Sequence, residues 1–149
     1  MSQTPIEDAP NLRADDSVAA AVRTLLESGR PALAVVDADE RLVGLFGERE
    51  FLAALFPGYV GQLHHAAFVS GRLDEALETR ASCAAEPVSQ HMNTEDVSVE
   101  EEFSGVGLAE IFLHHRVLVV PVVRDRRPVG IITRTAFFRR LAQRFLDRA

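Results

Sequence analysis

Two adjacent histidine pairs, His64-His65 and His114-His115, are the residues that first suggest metal chemistry. Neighbouring residues on a helix point about 100° apart, so neither pair chelates one ion by itself. No acid or cysteine stands at a spacing that would complete a set such as His-Glu-x-x-His, so no metal site is expected. Structural or surface roles fit these histidines, with a pH response as the alternative. Cys83 is the only cysteine, which excludes an internal disulfide and a thiolate cluster. Flanked by Ala81, Ser82, Ala84 and Ala85, it reads as a small helix residue; no His or basic side chain adjoins it to lower its pKa. All sixteen basic residues are arginine. A chain without lysine has no Schiff-base lysine and no phosphate-loop lysine. No Ser-His-Asp or Cys-His arrangement appears at usable spacing either, so a non-catalytic role is expected.

The elements that would position any functional group are repeated. Sliding the sequence by 86 residues lays Pro31–Phe46 on Val117–Ile132 without a gap. Arg30 then meets Arg116, Val36 meets Val122, Asp39 meets Asp125, Arg41 meets Arg127, Val43-Gly44 meets Val129-Gly130 and Phe51 meets Phe137. Each copy opens with a helix. In the first, Val18, Val22, Leu25 and Leu26 share a face behind the cap candidates Asp15, Asp16 and Ser17, and Gly29 stops it. In the second, Leu108, Ile111 and Phe112 follow Glu100-Glu101-Glu102, with His115 at the stop. Two short apolar runs around a polar turn at Asp39 or Asp125 predict a hairpin. A last helix carries Phe51, Leu52 and Leu55, or Phe137, Phe138 and Leu141, and Ala9–Arg13 and Val97–Val99 supply one more short strand each. Strands this short and apolar need cover on both sides, so the copies are expected to pack sheet to sheet with pseudo-twofold symmetry. Between them, residues 57–87 hold the breakers Pro57-Gly58 and Val69-Ser70-Gly71 and the helically spaced Leu73, Ala76, Leu77 and Arg80. One or two helices are expected there, packed through Tyr59, Val60, Leu63, Phe68, Leu73 and Leu77 on the repeats or on a partner.

Val119-Val120-Pro121-Val122-Val123, then Asp125, then Val129-Gly130-Ile131-Ile132-Thr133 resembles the CBS (cystathionine-β-synthase type) domain pair, or Bateman module. Val88-Ser89-Gln90-His91-Met92 leading into Val97-Ser98-Val99 resembles the lead-in to one such repeat, and the duplication itself fits. The resemblance implies an α/β fold of the α+β type, tandem βαββα repeats over 5–56 and 88–146 joined by a helical connection over 57–87. It also implies a regulatory role, homodimers, and adenine nucleotides or related ligands, S-adenosylmethionine among them, in clefts between the sheets. No cofactor is required.

In the family pattern a Ser or Thr after the last strand contacts phosphate, and an Asp three positions on accepts the ribose hydroxyls. Here the second copy has Thr133 and Ala136, and the first has Gly47 and Glu50. A buried ribose hydroxyl facing Ala136 forgoes a charge-assisted hydrogen bond of about 1.5–3 kcal/mol. Thr133 and Arg134, with Arg116 and His91 converging, make one candidate anion site, walled by Met92, Val119, Val120 and Pro121. The alternative is that Thr133 caps the helix, Arg134 is solvated and the wall is core. Arg49 and Glu50 beside Gly47, with Ile6 and Leu33 to Val35 as wall, make the other candidate; Glu48-Arg49-Glu50 is also what an exposed first helical turn looks like. Arg140, Arg144 and Arg148 repeat every four residues as a solvated stripe, or as a dock for an acidic surface of a second chain.

A net charge of −6 argues against nucleic-acid binding. The longest apolar run, Val117–Val123, is far short of the roughly 20 residues of a membrane helix. Met1–Asp8 lacks the basic and apolar stretches of a secretory leader, so a cytoplasmic protein is expected. The competing functional reading is a structural interaction module with ligand-free clefts that hold an unknown protein partner.

Overall fold

The structure is a computed structural model and describes residues 4–56 and 72–149. In the first copy the elements are β1 (Leu12–Arg13), α1 (Val18–Ser28), β2 (Ala32–Val36), β3 (Leu42–Gly47) and α2 (Glu48–Leu55). After α3 (Arg72–Thr79) and two short 3-10 turns, the second repeats the order with β4 (Val99–Glu100), α4 (Gly105–His114), β5 (Val119–Arg124), β6 (Arg127–Thr133) and α5 (Arg134–Arg148). Both are βαββα units, each with one three-stranded sheet in which the short first strand runs parallel to the second and the hairpin is antiparallel.

Serines start both leading helices. Ser17 Oγ accepts the Ala20 N–H at 3.1 Å and Ser104 Oγ accepts the Gly107 N–H at 2.9 Å. Of the three cap candidates before α1 it is therefore Ser17 that caps. In the second copy the acidic run falls at the end of β4 and just after it, not at the helix start. Gly29 ends α1 at φ 69°, the left-handed conformation glycine adopts without steric cost, whereas His115 ends α4 in extended backbone.

The hairpins differ by one residue. In the first, Asp37 and Arg41 flank a three-residue turn in which Glu40 takes φ 65° and Asp37 Oδ1 accepts the N–H groups of Asp39 and Arg41 at 2.8 and 3.0 Å. In the second, Arg124 pairs directly with Arg127 across Asp125 and Arg126, at φ 53° and 67°. Val36 pairs with Leu42 as Val123 pairs with Pro128, so the gapless match of Val36 to Val122 is displaced by one position ahead of the turn. After the turn the 86-residue offset holds.

β2 and β5 are buried along their lengths apart from Arg124. One core gathers Ala32 and Leu45 of the first copy with Leu108, Val119, Val120, Val122, Ile131, Ile132 and Phe137 of the second, so the two sheets share an interior. A second lies under α1, around Leu12, Val18, Leu33, Val35, Phe46 and Val88. The Leu42 N–H donates to the Arg126 carbonyl at 2.9 Å, joining β3 to the opposite turn.

Two isolated bridges tie the copies together. Glu7, ahead of β1, pairs with Ile131 on β6, and Asn93, ahead of β4, pairs with Leu45 on β3. Adding 86 to Glu7 and to Leu45 gives Asn93 and Ile131, so one bridge is the pseudo-twofold image of the other. Each lead-in segment thus lies against the other copy's sheet. Gly44 and Gly130 make this possible: a Cβ on Gly44 would sit 2.8 Å from the Asn93 carbonyl oxygen, and one on Gly130 2.9 Å from that of Glu7.

Within the connection, residues 72–87 pack on the first copy. Cys83 is buried beside Ala54 and Leu55, Arg80 Nε donates to the Ala54 carbonyl at 3.0 Å, and the Val18 N–H reaches the Glu86 carbonyl at 2.9 Å. Leu73 and Leu77 on α3 are exposed. The sequence features at 57–71, including Tyr59, Val60, Leu63, Phe68 and His64-His65, lie outside the described residues. Among the described residues no helix is long and apolar enough to cross a membrane.

Candidate functional site

Thr133 closes β6 and opens α5. Its Oγ accepts the Ala136 N–H at 3.1 Å, capping the helix, and its hydroxyl proton points to Glu7 Oε2 at 3.3 Å. The other oxygen of Glu7 is ion-paired with Arg30 Nη1, and Arg30 Nη2 donates to the Asp8 carbonyl at 3.3 Å. Thr133 is 9% exposed, and the Glu7 side chain 20%. A hydroxyl from the second copy, a carboxylate from the lead-in segment of the first and a guanidinium following α1 therefore form one closed group.

The equivalent junction of the first copy is Gly47, Arg49 and Glu50. With no hydroxyl at Gly47, Glu50 reaches back instead, and its Oε1 accepts the Gly47 N–H at 2.8 Å. Burial pushes the Glu50 carboxyl above its ordinary value, against the lowering effect of the backbone hydrogen bonds and of Arg49. Arg49 is exposed. The lead-in segment of the second copy crosses here. Its Glu95 meets His115 Nδ1 at 2.7 Å, and that hydrogen bond holds the Glu95 carboxyl below its usual range. A cavity of about 250 Å³ borders this crossing, lined by residues 42–45 and 94–97 and by Arg126.

The twelve candidate residues separate. His91 is bound through Nε2 to Glu86 Oε1 at 2.7 Å, and Met92 lies against Gly44; both stand beside the first copy, away from Thr133. Ile6, grouped in the sequence with Arg49 and Glu50, lies against Gly130 on the second copy's sheet. The lead-in residues have exchanged sites because the segments cross. Val119, Val120 and Leu33 are fully buried in the two cores, and Pro121 is buried in β5, so here they present no surface to a ligand. Arg116 and Arg134 are exposed.

Glu7 and Arg30, which complete the group around Thr133, are not among the sequence candidates. The signal that would have found them is the pair of equivalent glycines, Gly44 and Gly130: a glycine inside an apolar strand marks close approach of another backbone. Of the histidines in the described residues, His91 and His115 each bind one carboxylate, and no group of three or more His, Cys, Asp or Glu side chains forms a metal site among those residues.

Solved structures share this fold. The CBS-domain containing protein from Agrobacterium tumefaciens superposes with a TM-score of 0.67 at 25% identity, over 91% of this chain and 85% of that one. The CBS domain of a CBS-domain containing membrane protein from Sphaerobacter thermophilus does so with a TM-score of 0.64 at 26% identity, over 91% and 82%. CBSX2, whose crystal structure is a complex with AMP, superposes at 0.64 and 22% identity, over 92% and 90%. No curated protein sequence matches this one. The sequence pattern of the CBS domain fits residues 2–57 and again residues 88–143, one match to each βαββα unit. The chain belongs to the CBS domain family, as a tandem pair.

Proposed function

We propose that this chain is a non-catalytic regulatory module that takes a small ligand, an adenine nucleotide or a related molecule such as S-adenosylmethionine, in its clefts and pairs with a second copy of itself. One observation carries the reading. Each strand-to-helix junction of one copy, at Thr133 or at Gly47–Glu50, lies beside the lead-in segment of the other. A ligand at either junction therefore touches both copies, and unequal affinity for two settings of the copies is what a signal requires. That CBSX2 was solved with AMP supports this ligand class. The apolar side chains of Phe138, Leu141, Phe145 and Leu146, exposed on α5, support self-association.

Differential scanning calorimetry with AMP, ADP, ATP and S-adenosylmethionine tests the ligand. At one hundred times Kd a ligand stabilises by about 2.7 kcal/mol. A domain of this size then gains roughly 5–10 °C in Tm, taking ~2–4 °C per kcal/mol. No shift with any of the four at millimolar concentration refutes it. Sedimentation equilibrium tests the pairing.

A second reading has its own observation. Glu7 already engages Thr133 and Arg30, so the groups a ligand would meet at this junction are held by the chain itself, as expected of an interaction module that holds a protein partner.

A further inference from the structure

We propose that Glu7 is the selectivity determinant of the Thr133 cleft: its carboxylate holds the two anion-binding groups and makes the cleft prefer an uncharged or cationic nucleoside to its phosphate. This rests on the reading that the cleft takes a nucleoside-like ligand, and adds which charge state enters.

The groups that would receive a phosphate at this junction are the Thr133 hydroxyl and a guanidinium. Both are engaged by one side chain, Glu7 Oε2 with Thr133 Oγ and Glu7 Oε1 with Arg30 Nη1. An incoming phosphate meets a carboxylate of its own sign in place of two free donors. It enters only by displacing Glu7 from Arg30, whereas a ligand without negative charge leaves the ion pair intact. The carboxylate is held in place by backbone. The Glu7 N–H donates to the Ile131 carbonyl at 2.8 Å and the Ile131 N–H to the Glu7 carbonyl at 3.0 Å, with Gly130 giving the segment room to lie close. In the first copy the residue equivalent to Glu7 is Asn93, which carries no charge, the residue equivalent to Thr133 is Gly47, and the lead-in carboxylate there, Glu95, is held by His115. The selectivity therefore belongs to one cleft of the two.

Because those backbone bonds do not involve the side chain, Glu7→Gln keeps the crossing and the fold. Isothermal titration of the intact protein, of Glu7→Gln and of Glu7→Gln with Arg30→Ala uses adenosine, AMP and inorganic pyrophosphate as probes. The wild type is expected to bind adenosine more tightly than AMP. Glu7→Gln raises affinity for AMP and pyrophosphate about ten- to hundredfold, the worth of a charge-assisted hydrogen bond, and leaves adenosine within about twofold. Adding Arg30→Ala abolishes the gain. The proposal is overturned if the wild type prefers AMP, if Glu7→Gln leaves AMP and pyrophosphate unchanged, or if the gain survives loss of Arg30. Should no form bind adenosine or AMP, the functional reading fails by itself and pyrophosphate decides alone: a gain in Glu7→Gln upholds the role of Glu7, and its absence overturns it.

Discussion

Gly130→Ala tests the crossing of the lead-in segments, on which both proposed ligand sites depend. The new Cβ would stand 2.5 Å from Ile6 Cγ2 and 2.9 Å from the Glu7 carbonyl oxygen. Ile6 is 39% exposed and has space to turn away, but the Glu7 carbonyl is fixed by the Ile131 N–H at 3.0 Å. The variant has two ways to respond. It can tolerate the overlap, at about 1–3 kcal/mol for an overpacked site. Or it can give up both bonds of the bridge, at about 0.5–1.5 kcal/mol each. Either route costs about the same, and the change from glycine returns about 0.5–1 kcal/mol of backbone entropy. A net loss of ~1–2 kcal/mol follows, which lowers Tm by roughly 2–8 °C in a domain of this size. Scanning calorimetry reads the loss. Amide hydrogen exchange locates it, since the Glu7 and Ile131 N–H groups should lose protection ahead of the β2–β3 hairpin. Gly105→Ala is the control: nothing lies within 4 Å of its new Cβ, and Tm should hold or rise. An unchanged Tm in Gly130→Ala, with Glu7 and Ile131 as protected as before, refutes the crossing.

Substitutions at four other positions examine separate parts of the fold. Burial raises the Glu50 carboxyl, so its contribution to stability is complete below the ordinary carboxylate range and is lost as pH rises through the folded value. Glu50→Gln should therefore gain stability relative to the wild type across that window and hold the gain to neutrality; a difference flat with pH in thermal melts from pH 3.5 to 7 contradicts this. Leu108 is fully buried under the second sheet, and Leu108→Ala should cost about 2–5 kcal/mol in urea unfolding. Leu113 on the same helix is 80% exposed, and Leu113→Ala should stay within about 0.5 kcal/mol. Gly29→Ala meets no atom within 4 Å, yet its φ of 69° should cost about 1 kcal/mol, and Gly29→Asn less; equal stability of the three would mean that α1 ends differently.

Much of this fold was legible because it is written locally. The apolar spacing of α1 and α4, the glycine after α1 and the paired runs around Asp39 and Asp125 each need only a few neighbouring residues, and all formed the elements expected. The one-residue difference between the turns was not legible, since three- and two-residue turns suit equally polar sequences and the repeat aligns without a gap. The site was legible in its junctions and not in its partners. Thr133 and Glu50 stand at the strand-to-helix boundaries the repeat predicted. Ile6 and Met92 went to the opposite sheets, because a lead-in segment tied down by one bridge has no periodicity to declare which copy it joins. The apolar run Val119-Val120-Pro121 serves a wall or a core equally well, and only burial separates the two.

The crossing also determines what a ligand can move. Glu7 is bonded to β6 of the second copy, while Leu12, five positions further on, pairs with Val35 in the sheet of the first. A short tether between two sheets has little slack, so a displacement of the Glu7 backbone from Ile131 would be delivered to β1 and through it to β2. β2 in turn packs on the second copy through Ala32. The Glu7–Ile131 bridge and the shared core thus lie on one mechanical loop, and a group that shifts the Glu7 backbone would act on both copies and not on a side chain alone. Asn93 and Val99 close the matching loop from the other copy, without a charge at its end. The same swap that hides these partners from a reader of the sequence is what would set an occupant of the Thr133 junction against both copies.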